Sequence, residues 1–316
     1  MGFHGLKVID FHAHFPTSNS SRRTSWRQQL TERYGEEGVQ TVFEQSRQYR
    51  DEWRRIWGFE PPESEAHSDE EQADRWAADL DAKGVERVNF VMGGGNDNLA
   101  KVVGMYPNKF SGFAHHGLFS VDAASELERA VEELGLKGFK VIASSQTQPI
   151  DDRSLYPLWE VANSHEIPVI MHFGVLGGGG GFPTDLRNMN PLTLWEVAKA
   201  FPKITFVIPH FGAGYLRELL MLCWSCPNVH VDTSGSNQWM QWMPFDLDLK
   251  GLFRKMIETV GPDRVIFGTD SSYFPRGFSL PYLREQVKAC RSLGLEEGSI
   301  EKIFYRNAAR LLKIEK

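Results

Sequence analysis

The run Leu6-Lys7-Val8-Ile9-Asp10-Phe11-His12-Ala13-His14 is short, rich in β-branched and apolar residues, and ends in two histidines one residue apart. Such a run reads as a buried strand. Because residues i and i+2 of an extended chain share a face, His12 and His14 would project together from its carboxyl end. This first run, 6–11, is followed by seven more of its kind, at 87–92, 110–115, 138–142, 168–171, 204–208, 229–232 and 264–267. Longer amphipathic stretches separate them. Leu155, Leu158, Trp159 and Ala162 after the fourth run, and Leu192, Leu194, Trp195 and Ala198 after the fifth, fall at the 3.6-residue spacing that buries one helix face. Eight strand-and-helix units predict an α/β protein, a (β/α)8 TIM barrel forming a single domain over residues 1–316.

A barrel of this kind takes about 250 residues, so 316 residues leave a surplus. It lies between His14 and Gln72, where the first barrel helix should already have begun, and predicts a cap insertion over about 15–72. Val39, Val42, Phe43, Tyr49, Trp53, Ile56 and Trp57 recur there at helical spacing, with Arg47, Arg50, Arg54 and Arg55 mostly off that stripe. Ser68 followed by Glu71 is a capping-box signal for a helix carrying Ala73, Trp76, Ala77 and Leu80. A last helix over 299–312 is expected to pack across the barrel.

Composition excludes several functions. Lys plus Arg number 35 against 41 Asp plus Glu, a net charge of −6 without the basic excess that phosphate neutralisation needs, so no nucleic-acid partner is expected. No apolar stretch approaches the length of a membrane span and no secretion signal is visible, so no membrane partner is expected. Cysteine occurs only at 223, 226 and 290, sparse usage that suits a reducing compartment and a cytoplasmic location. Cys223-Trp224-Ser225-Cys226 spells C-x-x-C, but with no second pair it reads as buried thiols.

With ten histidines in the chain, His12-Ala13-His14 alone is a weak signal; its strand-end position gives it weight. His172 closes the fifth run, His210 follows the sixth after Pro209, and Asp270 follows the eighth after Gly268 and Thr269. The carboxyl ends of barrel strands are where such enzymes build their sites. Imidazoles and a carboxylate converging there are suitable ligands for Zn²⁺ or a similar divalent ion, with a position left open for water.

On these residues the sequence resembles the metal-dependent amidohydrolase superfamily, and within it the amidohydrolase-related branch that includes aminocarboxymuconate-semialdehyde decarboxylase. The resemblance runs from 8–14 through Gly95-Asn96-Asp97-Asn98, Leu136-Lys137-Gly138-Phe139-Lys140, the segment ending at His172, Pro209-His210-Phe211-Gly212, Val231-Asp232-Thr233-Ser234-Gly235, Gly268-Thr269-Asp270 and Asn307-Ala308-Ala309-Arg310. It implies that His12, His14, His172 and Asp270 hold one divalent metal, Zn²⁺ foremost with Mn²⁺ or Fe²⁺ as alternatives, and that His210 and Asp270 are catalytic, His210 as acid or base. His-x-His in place of the Glu-x-His of several branch members points towards the semialdehyde-decarboxylase and hydrolase side rather than the benzoate-type decarboxylases.

Substrate-side candidates are Arg47, Arg50 and Arg54 in the insertion, which could hold a carboxylate bidentately, and Lys140 on the fourth strand, near the place where binuclear superfamily members carry a carboxylated lysine. Gly177 to Gly181 could form a mobile flap, Gly93-Gly94-Gly95-Asn96 reads as a turn capped by Asn96, and one of His115 and His116 could face the pocket. The expected function is non-oxidative decarboxylation of a small unsaturated or aromatic carboxylic acid. The same site would also serve hydrolysis of an amide, ester or lactone, and a third reading is a catalytically silent metal- or ligand-binding barrel. A homodimer is a further expectation, resting on the resemblance and on the tryptophan-rich stretch 239–242.

Overall fold

The computed structural model describes residues 3, 5–17, 21–174 and 185–314, and for 21–27 and 29 the backbone alone. The run 177–181 lies outside the described residues. Strand β1 is Ile9–His14, so both histidines lie inside the strand rather than beyond a strand at 6–11. Seven strands follow in parallel: β2 (Arg87–Met92), β3 (Phe110–Gly112), β4 (Phe139–Ile142), β5 (Pro168–His172), β6 (Thr205–Ile208), β7 (Val229–Asp232) and β8 (Val265–Ile266). They run in order 1-2-3 and 4-5-6-7-8, and single contacts join the two sheets. Lys140 N–H donates to Ala114 O (2.8 Å) across β3 and β4. Phe11 N–H donates to Phe267 O (3.1 Å) and His14 N–H to Ser271 O (2.7 Å), closing β8 onto β1. The result is a (β/α)8 barrel, as the eight runs predict.

The interior has two layers of opposite chemistry. Towards the amino ends of the strands Ile9, Phe11, Val91, Phe113, Ile170, Val207 and Ile266 form an apolar plug, covered by Ala308, Ala309, Leu311 and Leu312. Those last residues belong to the terminal helical stretch Glu297–Glu301, Lys302–Arg306 and Asn307–Leu311, which lies across this end of the barrel. Polar side chains occupy the other end. The change is possible within β1 because the pairing with β2 shifts register between Asp10 and Ala13 and again before His14. Such a bulge breaks strict alternation, so Phe11 packs in the apolar layer while neighbouring His12 faces the polar one.

Between β1 and β2, helix α1 (Ser21–Trp57) is broken at Gly35, whose φ of 76° and ψ of 159° are not helical. Val39 on it is buried, whereas Ile56 is exposed despite lying on the predicted stripe. Helix α2 (Asp69–Lys83) begins as the capping box predicts. Glu71 N–H donates to Ser68 Oγ (3.1 Å), Ser68 N–H donates to Glu71 Oε2 (2.9 Å), and Gly84 closes the helix in the left-handed region. Asn96, expected as a cap, instead starts helix α3 (Asn96–Met105). Its carboxamide leaves the helix end to accept from His115 N–H (2.8 Å) and donate to Glu126 Oε1 (2.6 Å), so the cap position falls to Gly95.

Candidate metal centre

β1 carries His12 and His14 to the carboxyl end of the barrel, β5 carries His172, and the segments after β6 and β8 carry His210 and Asp270. The imidazole of His12 lies 5.4 Å from that of His14, 6.4 Å from that of His172 and 5.3 Å from that of His210, and the His172 and His210 rings are 4.5 Å apart. Asp270 Oδ1 is 3.0 Å from His14 Nε2 and 3.9 Å from His12 Nε2. The tightest group is His12, His210 and Asp270, each offering one ligand atom with all three atoms within 4.8 Å of one another. The structure thus brings together all five side chains that strand-end reasoning selects.

Backbone conformation aims two of them. His210 and Asp270 have φ of 55° and 59°, in the left-handed region that residues other than glycine seldom enter, as do Phe211 and Ala213. His210 is held there on two sides. Its Nδ1 lies 2.9 Å from Ser234 O, and the indole N–H of Trp239 donates to His210 O (3.0 Å). Gly235 packs so closely that a Cβ would stand 3.1 Å from His210 Nδ1 at a φ of 79°. Trp239 is therefore a buried support of the site.

The protonation pattern favours a cation. His12 Nδ1 lies 2.6 Å from Asp232 Oδ2; a carboxylate only accepts, so Nδ1 carries the hydrogen and Nε2 the lone pair. His12 Nε2 is fully buried and has no hydrogen-bond partner among the described residues. Burial, opposed by the Asp232 charge, brings the His12 pKa down to about 4, and burial followed by repulsion from His210, Lys140 and His12 takes His172 well below the usual imidazole value. Burial acts to raise Asp270, but the hydrogen bond from His14 and the charges of His210, His14 and His12 outweigh it and hold the carboxyl well below its ordinary value. A His12 lone pair aimed inward at Nε2 and a neutral His172, beside an ionised Asp270, are donors of the kind that Zn²⁺, Mn²⁺ or Fe²⁺ takes, so these residues fit one divalent metal.

Lys140 projects inward from β4, in register with Ile170 and one pleat below the Ile142–His172 pair. Its Nζ is buried without a hydrogen-bond partner among the described residues; burial lowers its pKa to about 8, and the charges of Asp232 and Asp270 limit the fall. The inserted arginines do not converge on the histidines. Arg47 and Arg50 are exposed on α1, Arg50 donating to Ser46 Oγ (2.7 Å), while Arg54 pairs with Asp51 and reaches Tyr273. A cleft of about 530 Å³ opens from His14 between Phe15, Tyr273 and Phe274 on one side and Glu63 and His67 on the other. A second hollow of about 210 Å³ shares His14 and Phe15 and reaches Gly93, Phe113 and His115. His115 thus lines the pocket, and His116 lies 2.9 Å from Ala123 O.

Residues 9–314 match the amidohydrolase family. The chain belongs to that family. This amidohydrolase is 32% identical over 267 residues to a γ-resorcylate decarboxylase of Rhodococcus jostii, covering 70% of the present chain and 76% of the relative. It is 31% identical over 78 residues to the 2-amino-3-carboxymuconate-6-semialdehyde decarboxylase of Dictyostelium discoideum, covering 24% of the chain and 22% of the relative. Among solved structures it shares the fold of 5-carboxyvanillate decarboxylase from Novosphingobium aromaticivorans. That protein was crystallised with manganese and a nitrobenzoic acid; the TM-score is 0.68 at 17% identity, covering 99% of this chain and 97% of that one. The relatives thus fall on both the benzoate-type and the semialdehyde side.

Asp232, Ser234, Gly235 and Trp239 support the candidate site, a role that the sequence reading did not give them. Asp232 ends β7 as His172 ends β5, so the strand-end rule applied to every strand would have found it.

Proposed function

We propose that this amidohydrolase is a metal-dependent, non-oxidative decarboxylase of a small aromatic or unsaturated carboxylic acid. The observation that carries the reading is Lys140, a buried cation near Asp232 and Asp270 with no hydrogen-bond partner among the described residues, which would receive a substrate carboxylate; relatives matched over most of this chain are decarboxylases. His12, His14, His172 and Asp270 would hold one divalent cation, which when bound supplies Lewis acidity towards substrate oxygens. The imidazole-rich donor set favours Zn²⁺, and Mn²⁺ is the metal of the vanillate-type neighbour.

The remaining work falls to the chain's own groups. Phe15, Tyr273 and Phe274 offer aromatic walls to a planar ring, and the cleft has the volume of a small-molecule site. His210, its Nδ1 committed to Ser234 O, exchanges a proton only at Nε2. As the carbon–carboxylate bond breaks, its electron pair stays on the ring carbon, CO₂ leaves, and a proton from His210 Nε2 completes the product. No redox partner is needed. The tighter grouping of His12, His210 and Asp270 supports a second assignment in which His210 ligates. Metal content separates the two: His210→Asn keeps stoichiometric metal and loses turnover if His210 moves the proton, and loses metal if it ligates.

The test of the reaction is a panel of hydroxybenzoates, lactones and amides assayed for CO₂ and for acid release. CO₂ from an aromatic acid is expected; acid release without CO₂ would replace decarboxylation by hydrolysis, and inactivity of the metallated protein on the whole panel would leave a binding barrel. The three cysteines are free and buried, and no helix among the described residues is long and apolar enough to cross a membrane, which supports a cytoplasmic location. Half-exposed Trp242 and Phe245 support a homodimer through that face, and elution at twice the chain mass is the expected result.

A further inference from the structure

We propose that Arg276 is a positioning residue that ties the inserted helix α1 to the turn carrying Asp270. The proposal rests on the reading of Asp270 as a metal ligand. Arg276 follows β8 by ten residues and is 9% exposed, an unusual burial for a guanidinium. No carboxylate pairs with it among the described residues. Its Nη2 instead donates to the backbone oxygen of Asp270 (2.9 Å) and to Ser272 Oγ (3.2 Å). Its Cζ lies 4.7 Å from the ring centre of Tyr273, 5.2 Å from that of Trp53 and 5.4 Å from that of Phe59. Aromatic faces and neutral oxygens are the surroundings in which a guanidinium keeps its charge without an ion pair.

The oxygen it holds belongs to a residue in the left-handed region. Asp270 is fixed on its amide side by donation to His12 O (2.8 Å), and Arg276 fixes the carbonyl side. With both peptide groups tied, the side chain is directed at His14 Nε2 and His12 Nε2. Arg276 itself is anchored from α2. Lys83 Nζ donates to Arg276 O (3.1 Å) and Phe278 O (2.8 Å) and pairs with Asp79 (2.7 Å), which accepts from Phe278 N–H (2.8 Å). Trp53, on α1, adds its own link by donating to Tyr282 OH (2.8 Å). Tyr273 OH also donates to Glu60 O (3.2 Å) and Glu63 N–H to Phe274 O (3.1 Å), but Arg276 is the contact that bonds Asp270 itself, so displacement of Trp53 or Phe59 would be felt at Asp270.

Cobalt titration of the metal-free protein tests this, followed by the visible ligand-field bands of Co²⁺ and by affinity. Arg276→Met should weaken Co²⁺ binding about tenfold or more, as loss of a group that orients a ligand does, and alter the bands. Arg276→Lys should fall between it and wild type, since an ammonium keeps the charge but lacks the plane that stacks among the rings. Asp270→Asn serves as the marker of the underlying reading. If it binds Co²⁺ as wild type does, Asp270 is no ligand and that reading fails whatever Arg276 does. If it loses the ion while Arg276→Met keeps wild-type affinity and spectrum, the reading stands and Arg276 is not a positioning residue. Should Arg276→Met fail to fold, Arg276→Lys decides: wild-type affinity and bands overturn the proposal, and a shift in either supports it.

Discussion

Asp232 shows how much of the centre depends on a residue that touches none of the reacting atoms. Its carboxylate fixes the His12 tautomer from 2.6 Å, and its own oxygens are held by Ser234 N–H (2.6 Å). Burial acts to raise Asp232, but the charge and hydrogen bond of His12, with His210 and Ser234, keep it below the usual carboxylate value. Replacement by the isosteric amide removes the charge that selects Nδ1–H. Asp232→Asn is expected to lower metal affinity about 10- to 100-fold, measured by competition with a chromophoric chelator. A different balance governs His230, two residues earlier on β7 and level with Val207. Burial, followed by repulsion from Arg310 and Arg264 and opposed by Asp263, takes its pKa from 6.5 to about 3. Between those values the unfolded chain binds a proton that the folded chain does not, so stability falls as pH falls through that window. Compared as metal-free proteins in urea titrations, wild type should lose stability relative to His230→Leu by up to about 1.4 kcal/mol per pH unit below pH 6.5, with no such drift above it. Five site residues were legible because each closes or follows a strand run. Asp232 obeys the same rule, whereas the supports at Ser234, Trp239 and Arg276 act through carbonyl oxygens whose direction no side-chain pattern encodes.

Elements were legible to the extent that burial is periodic. The parallel strands are buried runs that sequence displays directly, although β3 and β8 are shorter than their apolar runs. Helix α1 was legible by spacing but not as two segments, since a lone Gly35 inside a helical pattern does not disclose a φ of 76°. Spacing set Arg47 and Arg50 mostly off the apolar stripe, and both face solvent, so their candidacy as carboxylate holders did not follow from it. The capping box was legible because it is a local contract between two side chains and two amides. Ser68→Ala should lower stability by about 1 kcal/mol through the loss of the Glu71 amide partner. Urea unfolding should show the lower midpoint at an unchanged slope, and an unchanged midpoint would mean that α2 is held by Trp76, Ala77 and Leu80 against the barrel irrespective of its cap.

At the scale of the whole molecule, one end of the barrel is closed by apolar side chains and the other by a cluster of imidazoles and carboxylates. The apolar end contributes to folding by burial alone, with Phe11 and Phe113 packed edge to face at 5.5 Å. The polar end gathers Asp10, Asp232, Asp270, Lys140 and four imidazoles where burial penalises charge, and burial, with a smaller push from the Asp232 charge, lifts the Asp10 carboxyl to about 7 in spite of its bonds from Thr269 and His12. Such a cluster offsets its desolvation best when a cation is bound, and a ligand taken up only by the folded chain stabilises it by mass action. At a free concentration one hundred times Kd the gain is about 2.7 kcal/mol, which in a domain of this size corresponds to a Tm rise of about 5 °C. Chelator-stripped protein should therefore melt about 5 °C below protein with excess Zn²⁺ or Mn²⁺ and regain the difference on adding the ion. His12→Ala, which removes the buried unpartnered nitrogen, should melt at one temperature with or without metal. Equal melting of wild type in both conditions would separate the polar end from metal binding altogether, because the five side chains would then be satisfied by one another.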